Sequence, residues 1–292
     1  MKLAVLVTCF NRKNVSVKNL KQLDDCLNSV DLLEHSMFIV DDGSTDGTGD
    51  ALRTVLPNAL VITGTGDLYW NGGMCRAYEL SRSQGSFDAY LMFNDDVFVL
   101  REKLKEFTRE YFEINQNCCA ILAAATESEI DQSITYSAKN LYHRSRPLAL
   151  KSIPPNGKLQ QCDTFNGNFV MFPGEFFEQV GGNDPKYVHA YGDIDLGLVA
   201  KKRGIPRFLA SKTIGYCEAN NIARNEAIRT KPFILHLNRI FFGSWGSTND
   251  DIDQRLHYIF KHSESPLAYI FAAKSIVQYY LNKFRLRLIK KK

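Results

Sequence analysis

The sequence lacks the features of a membrane-spanning or secreted protein. No apolar run approaches the roughly 18 residues that a membrane-spanning helix needs. The opening stretch MKLAVLVTCFNR reaches Asn11 and Arg12 too early for the apolar core of a signal peptide. The seven cysteines are scattered and odd in number, and none belongs to a CxxC pair, which argues against a disulfide framework and against a zinc site. Together, these absences predict a cytoplasmic protein.

An excess of one charge is also missing. The chain of 292 residues carries a net charge of +4, which by itself is too small to indicate nucleic acid as a partner. Its apolar fraction of 45% and charged fraction of 23% are ordinary for a globular protein. The length suffices for one large domain or two modest ones with a real core.

The sequence does contain a regular alternation of apolar strands and amphipathic helices. Buried strands are predicted at 3–10, 36–42, 59–63 and 89–93, with helices between them at about 17–30, 48–56 and 71–84. Later in the chain we predict a loop or hairpin at 145–158, a returning strand at 165–173 and a helix at 191–204. The alternation is typical of the α/β class, with a mostly parallel sheet covered by helices.

Two of these predicted strands end in acidic residues. The second strand runs into Asp41 and Asp42, and the stretch AYLMFNDDVFVL places Asn94, Asp95 and Asp96 after the fourth. Each cluster alone is consistent with a turn, and the residues after Asp42 with a helix cap. Parallel strands, however, bring their carboxyl ends to one edge of a sheet, where ligands bind. Carboxylate pairs at that edge would suit a divalent cation, so a ligand site is the second interpretation.

A third acidic feature lies in the stretch YGDIDLGLVAKKRG. Asp193 and Asp195 stand at the start of the predicted helix, where the helix dipole stabilises carboxylates. The alternative is that one of them is a general base, which takes a proton from an attacking hydroxyl.

Taken in order, the stretches VTCFNR, IVDDGSTDGT, FNDDV and YGDIDLGLVAKKRG resemble family 2 glycosyltransferases with the GT-A fold, over roughly residues 3–205. The stretch GDLYWNGGMCRAYE further resembles bacterial members that assemble rhamnose- or galactofuranose-containing surface polysaccharides. The resemblance implies a nucleotide-binding sheet flanked by helices. It also implies transfer of a sugar from a nucleotide diphosphate donor, with inversion at the anomeric carbon.

The resemblance assigns a nucleotide pocket and a metal motif. By similarity, the pocket is lined by Thr8, Phe10, Arg12, Asp41 and Asp42. Asp42 would accept the N3–H of uracil or thymine, which implies a UDP- or dTDP-sugar, and Asp41 would support its loop. Asp95 and Asp96 match the motif for Mg²⁺ or Mn²⁺, Asp96 most closely, while Asn94 replaces the acid often found first. Asp95 would also face the donor. A cation there would neutralise the diphosphate as it leaves.

The resemblance also assigns the base and a donor-binding stretch. Asp193 aligns with the catalytic base, which more commonly follows a Glu, whereas Gly192 precedes it here. Asp195 would brace the helix or contact the acceptor. The donor-binding stretch comprises Trp70, Asn71, Gly72, Gly73 and Arg76. Its glycines would let the backbone approach the diphosphate, and Trp70 would pack either on a sugar face or in the core.

The resemblance leaves the third metal ligand open. Many relatives carry a His after the base helix, but the corresponding stretch IGYCEANN has Cys217 and Glu218. His236 is a candidate substitute, although a single His near an apolar run also suits a structural role.

We expect three segments: a glycosyltransferase domain at 1–215, an acceptor-side extension with helices at 216–265, and an amphipathic tail at 266–292. Residues 283–292 carry six Lys or Arg and no acid. The tail would either pack on the domain or lie on anionic lipid at the inner face of the membrane, each basic residue contributing about 1 kcal/mol.

The predicted function is therefore metal-dependent sugar transfer to a hydroxyl of a glycan or lipid-linked glycan. Two alternatives stay open. A degenerate domain would bind nucleotide-sugars without catalysis. A sugar nucleotidyltransferase would bind a similar donor, although its Gly-rich, Arg-containing N-terminal loop is missing from this sequence.

Overall fold

The computed structural model describes residues 1–116, 118–142, 149–219, 252–263, 266–267 and 269–277. The chain divides into two compact units. The first is made of Met1–Asn140 and Lys151–Glu218, and the second of Leu141–Leu150 and Ala219–Lys292.

The predicted alternation of strands and helices is confirmed in the first unit. Its main strands are β1 (Lys2–Cys9), β2 (Glu34–Asp41), β3 (Leu60–Thr63), β4 (Ala89–Asn94), β5 (Phe98–Val99), β6 (Ile121–Glu127), β7 (Ile134–Tyr136), β10 (Gln160–Gln161), β11 (Phe169–Pro173) and β12 (Arg207–Tyr216). Its helices are α1 (Lys13–Leu27), α2 (Thr48–Val55), α3 (Tyr69–Arg82), α4 (Arg101–Asn115), α5 (Gly174–Val180) and α6 (Gly192–Lys202). Two further strands, β8 (Lys139–Leu141) and β9 (Leu150–Ser152), pair with each other, and β9 falls within the loop or hairpin predicted at 145–158.

The N-terminal half of the sheet is parallel. Strands β3, β2, β1 and β4 lie side by side in that order, and each neighbouring pair runs parallel. The chain leaves β1 toward β2 on one side and later returns to add β4 on the other. The strand order therefore reverses at β1, which is where open α/β sheets bind ligands.

The other half of the sheet is mixed, unlike the mostly parallel sheet that the sequence predicts. Strand β11 runs antiparallel to both β4 and β6 and lies between them. Strand β12 then pairs parallel to β6. Parallel pairing, as predicted, joins the first four strands and also β6 and β12, and the sheet is mixed because β11 comes back between β4 and β6 in the opposite direction.

Both faces of the sheet are covered, which explains the continuous apolar run of β1. Leu3, Val5 and Val7 belong to a buried cluster with Leu20 and Leu23 of α1. Because side chains alternate across a strand, Ala4 and Leu6 point to the other face and join a cluster with Met74 and Ala77 of α3. Helices α1 and α3 are thereby fixed on opposite faces, with their N-terminal ends near the carboxyl end of β1.

The described part of the second unit includes helix α7 (Ile252–His262) and helical residues at 269–277. Among the described residues, no helix is long and apolar enough to cross a membrane. His236 and residues 278–292 lie outside the described residues, so the interpretations of the third ligand and of the basic tail stay predictions.

Candidate active site

The acidic ends of β2 and β4 meet beside the end of β1, as the sequence predicts. The strand register places Thr8 of β1 opposite Asn94 of β4, and Cys9 opposite Asp41 of β2. Asp42 follows Asp41 directly, and the acid pair Asp95 and Asp96 follows Asn94. Both acid clusters and the end of β1 therefore lie at one edge of the sheet, at the point where the strand order reverses.

The acid pair is compensated by neighbouring protein groups. Arg12 Nη1 lies 2.9 Å from Asp96 Oδ2 and 3.3 Å from Asp95 Oδ1. The Ser16 hydroxyl donates to Asp95 Oδ2 at 2.5 Å, and the Asn19 amide donates to the Asp95 carbonyl at 3.0 Å. Because an unpaired buried carboxylate is costly, these contacts explain how adjacent acids can follow a buried strand.

Burial and neighbouring charges shift the pKa values of Asp95 and Arg12. Burial raises the pKa of Asp95 to about 6, although the Ser16 hydrogen bond and the Arg12 charge oppose this rise. Burial acts to lower the pKa of Arg12, but the charges of Asp95 and Asp96 outweigh it and raise that pKa above its ordinary value. The guanidinium therefore remains a fixed positive charge against the two acids.

Cys217 lies in the stretch where the family resemblance leaves the third metal ligand open. Its thiol lies 3.5 Å from Asp96 Oδ1, and the Asn168 amide lies 3.8 Å from its sulfur. Burial raises the pKa of the Cys217 thiol far above its ordinary value, and the neighbouring Asp96 charge adds to this rise. The thiol is consequently neutral and acts as a weak hydrogen-bond donor to Asp96. Glu218 accepts hydrogen bonds from Ser128 instead.

These residues fit a cation that is bound jointly with a phosphate ligand. Mg²⁺ is usually held by one or two carboxylates, substrate phosphates and water. Asp96 offers such a carboxylate, since its side chain is 21% exposed, whereas the side chain of Asp95 is only 6% exposed. Within the described ranges, no group of three or more His, Cys, Asp or Glu side chains is arranged to hold a metal. The protein therefore offers part of a coordination shell, which a diphosphate would complete.

Asp41 and Asp42 organise the loops at the carboxyl end of β2. Asp41 accepts hydrogen bonds from the backbone and hydroxyl of Ser44, which agrees with the expected support of the loop. Asp42 accepts the backbone N–H of Gly66 through one oxygen and that of Tyr69 through the other, each at 2.9 Å. Both carboxylates are buried. Asp42 thus fixes the segment that leads into α3.

Asp193 is linked to the acid cluster by a short chain of contacts. Its Oδ2 accepts the Gly167 N–H at 2.8 Å, and its Oδ1 accepts the Ile194 N–H at 2.8 Å. A Cβ atom on Gly167 would stand 2.6 Å from the Trp70 ring and 3.1 Å from Asp193 Cβ. Trp70 Nε1 in turn donates to Asn94 Oδ1 at 2.7 Å. Trp70 therefore joins the start of the α6 helix to the end of β4.

Asp195 has a different environment from Asp193. It is buried, and its Oδ1 accepts the Tyr187 hydroxyl at 2.9 Å. Of the two roles that the sequence suggests for Asp195, this contact corresponds to bracing the helix.

The donor-binding stretch is split between surface and interior. Trp70 is half-buried, but Asn71 is fully buried and Gly73 packs against β1, where an added Cβ would stand 2.2 Å from Thr8 Oγ1. Gly73 thus allows close helix–sheet packing, a role that the sequence does not reveal. Arg76 is exposed and pairs with Glu79.

The expected pocket residues of the first strand also differ in exposure. Thr8 is buried, while Phe10 is 51% exposed. The segment that follows β1 is attached to the loop after β2, because Asn11 accepts the Thr45 N–H at 2.8 Å and donates its own N–H to Ser44 at 2.8 Å. Phe10 is therefore held in an open position beside the site.

Several residues of the site carry no distinctive sequence signal. Ser16 and Asn19 are polar residues on the buried stripe of α1, and this mismatch is the only hint of their contacts with Asp95. Lys139 lies within the electrostatic range of Asp193; burial lowers the pKa of its ammonium group, and the Asp193 charge opposes this. Gly167 and Asn168 fall within the strand predicted at 165–173, but the strand begins only at Phe169, so the sequence carries no sign of their place beside the site.

The sequence matches the model of a known protein family. Residues 4–173, more than half of the chain, match the family model described as Glycosyl transferase family 2. No curated protein matches the sequence.

Three solved structures illustrate the fold. The mannosyltransferase PcManGT from Pyrobaculum calidifontis, in complex with GDP-Man and Mn²⁺, is 15% identical; the match covers 96% of this chain and 75% of that chain, with a TM-score of 0.52. S. aureus TarS 1-349 is 14% identical over 96% of this chain and 89% of that chain, with a TM-score of 0.54. GalNAc-T7 with UDP, GalNAc and Mn²⁺ is 9% identical over 75% of this chain and 44% of that chain, with a TM-score of 0.54.

Proposed function

The chain belongs to glycosyl transferase family 2, and from this membership we propose that it catalyses metal-dependent, inverting transfer of a sugar from a UDP- or dTDP-sugar to a hydroxyl of a glycan or lipid-linked glycan. Its fold is that of GT-A glycosyltransferases, and it is a glycosyltransferase of the hexosyltransferase type. The inversion, the donor base, the cation and the acceptor are the parts that we propose. By resemblance alone, the reaction belongs to bacterial surface polysaccharide assembly.

One observation supports the proposal most directly. Asp193 and the pair Asp95–Asp96 are brought together through Trp70, which contacts Gly167 beside Asp193 and hydrogen-bonds Asn94 beside the pair. An inverting transfer needs a base on one side of the reacting sugar and charge neutralisation of the leaving diphosphate on the other. This contact chain supports a single site with one carboxylate group for each task.

Asp193 is suited to accept a proton from an acceptor hydroxyl. Each of its oxygens accepts one backbone N–H, which fixes the direction of the carboxylate and leaves further lone pairs for a hydroxyl. It also stands in the first turn of α6, where the helix dipole stabilises a negative charge. We therefore assign the general base to Asp193.

We assign the leaving diphosphate of the donor to the acid pair Asp95–Asp96, away from Asp193. Asp96, with support from Asp95, would hold Mg²⁺ or Mn²⁺, which when bound neutralises the charge that grows on the diphosphate. Arg12 offers a second positive charge at the same position. Mn²⁺ accompanies the nucleotide in two of the similar structures, PcManGT with GDP-Man and GalNAc-T7 with UDP. For this chain we assign a pyrimidine base to Asp42, whose oxygens keep lone pairs beyond those used by Gly66 and Tyr69.

The deciding experiment is the replacement Asp193→Asn, which keeps the shape and removes proton acceptance. We expect turnover to fall by roughly two to four orders of magnitude. Donor affinity should hardly change, since Asp96 and the nucleotide loops are intact. Turnover and donor binding are measured separately, by product formation and by calorimetry with UDP or dTDP in Mn²⁺.

Asp195→Asn is the matched comparison, because it alters a second carboxylate of the same helix turn. A normal turnover in Asp193→Asn would contradict the assignment and make Asp195 the next candidate. A wild-type protein that binds nucleotide-sugars but neither transfers nor hydrolyses them would instead be a binding module.

A further inference from the structure

Asn71 connects the start of α3 to the segment that precedes the α6 helix. It is fully buried, and its side-chain amide donates to the carbonyl of Asp184 at 3.0 Å and to that of Tyr187 at 2.6 Å. Its side-chain oxygen accepts from the Asn183 amide at 2.8 Å. Its backbone N–H donates to the Val188 carbonyl at 3.0 Å. The residue therefore ties the 183–188 segment at four points.

Gly192 completes this arrangement. A Cβ atom at position 192 would stand 1.7 Å from Asn71 Oδ1 and 3.1 Å from Asn183 Nδ2. The first contact is far inside van der Waals distance, so the Asn71 side chain occupies the volume that any larger residue at 192 would need. Gly192 and Asn71 are thus complementary in shape.

The tied segment leads directly into the proposed base. Tyr191, which caps α6, has a left-handed φ of 74°, an unusual conformation for a residue with a side chain. Gly192 begins the helix and Asp193 follows. The contact between Tyr187 and Asp195 ties the same segment to the helix a second time. A strained cap between two anchored points indicates that the direction of the helix start is set by its surroundings.

We propose that Asn71 is a positioning residue for Asp193, and that Gly192 is glycine because Asn71 fills its side-chain space. This proposal rests on the proposed function, since it takes Asp193 as the base. Asn71 acts through the 183–191 segment and touches neither donor nor acceptor, because its side chain is enclosed and its polar atoms are bonded to protein. The family resemblance assigns Asn71 to the donor side, whereas its hydrogen bonds are with the 183–188 segment that leads toward α6.

The test compares Asn71→Ala with Asn115→Ala. Asn115 is a matched control, since its side chain also makes three hydrogen bonds to protein, with the carbonyls of Tyr111 and Ala120 and the N–H of Ala120, at the end of α4. We expect Asn71→Ala to lower kcat by roughly 10- to 100-fold, because small misplacements of a reacting group cost that much. The donor KM should change less than about threefold, while Asn115→Ala loses thermal stability and keeps its kcat.

A double-mutant cycle tests the complementarity. Gly192→Ala should lower kcat because its methyl group meets Asn71, and the double variant Asn71→Ala/Gly192→Ala should be no slower than Asn71→Ala alone. Losses that multiply in the double variant would show that the two residues act independently and would overturn the proposal. If Gly192→Ala does not fold, recovery of folding in the double variant supports the same complementarity, and continued unfolding opposes it.

Asp193→Asn, measured in parallel, separates this proposal from the proposed function. Full turnover in Asp193→Asn refutes the assignment of Asp193 as the general base and, with it, the positioning role of Asn71. Loss of turnover in Asp193→Asn together with a normal kcat in Asn71→Ala refutes only the positioning role.

Discussion

Arg12 is the residue that determines how the acid pair behaves without a ligand. Its guanidinium contacts both carboxylates and is itself about half exposed. A guanidinium and a divalent cation would compete for Asp96 Oδ2, the oxygen that Arg12 contacts. Metal binding through that oxygen would require Arg12 to move toward solvent or toward the phosphates that accompany the metal.

The metal assignment predicts that Asp96→Ala removes cation-dependent donor binding. The fold should persist, because the Asp96 side chain lies at the end of a strand and is partly exposed. The measurement is thermal stabilisation by UDP or dTDP with Mn²⁺, compared with the same nucleotide in EDTA. Asp50→Ala, at an exposed carboxylate on α2, is the control. Transfer that continues at the wild-type rate in EDTA would disprove the metal role.

The proposal that Asp42 binds the pyrimidine base of the donor predicts discrimination among pyrimidine nucleotides. Uracil and thymine carry an N3–H that a carboxylate can accept, whereas cytosine does not. UDP and dTDP should therefore compete with the donor more strongly than CDP, and Asp42→Asn should reduce this difference. Equal competition by all three nucleotides would show that Asp42 acts only on the loop it fixes, through Gly66 and Tyr69.

At the scale of elements, the distance between α3 and β1 depends on one glycine. A methyl group on Gly73 would meet Thr8 at 2.2 Å, whereas one on Gly72 would meet only Leu68 at an ordinary 3.4 Å. Gly73→Ala should reduce the free energy of unfolding by about 1–3 kcal/mol through overpacking. Gly72→Ala should be neutral or stabilising by up to about 1 kcal/mol, since glycine is unfavourable within helices. Urea titration of both variants measures this, and equal effects would contradict the packing argument.

Most of the elements could be predicted from local patterns. The apolar run of β1 and the apolar spacing of α1 are strong signals because they extend over eight and 15 residues. Short strands such as β5 and β10 have two residues each, too few for any period. The antiparallel direction of β11 also has no local signature, because a buried strand has the same composition in either direction.

The site was predictable to the extent that its chemistry is encoded in residue type. The parallel pairing of the strands predicted that both acidic strand ends lie at one edge of the sheet, and the strand register confirms this position. The enclosure of Asn71 and the contacts of Ser16 depend on segments more than 75 residues apart in sequence, so no local pattern carries them. The proposed roles of Asp193, Asp42 and Asp96 stay predictions.

At the scale of the whole molecule, the basic tail predicts an interaction with anionic lipid. The full chain should sediment with vesicles containing phosphatidylglycerol and remain in solution with phosphatidylcholine alone, with binding lost at high salt. Replacing Lys283, Arg285 and Arg287 with Gln removes half of the six basic residues at 283–292 and should weaken binding. Binding to neither kind of vesicle would favour a tail that packs on the protein, and equal binding to both, or no effect of the replacements, would contradict an electrostatic interaction.

The contacts that Asp95 and Asp96 make within the protein bear on whether its folding depends on a metal ion. Because Arg12 and Ser16 already contact the carboxylates of the pair and Asn19 binds the Asp95 carbonyl, we expect the fold to form without manganese or magnesium. If the proposed metal dependence holds, removal of these ions would stop sugar transfer and leave the folded protein intact, so that activity would return when the ions are restored.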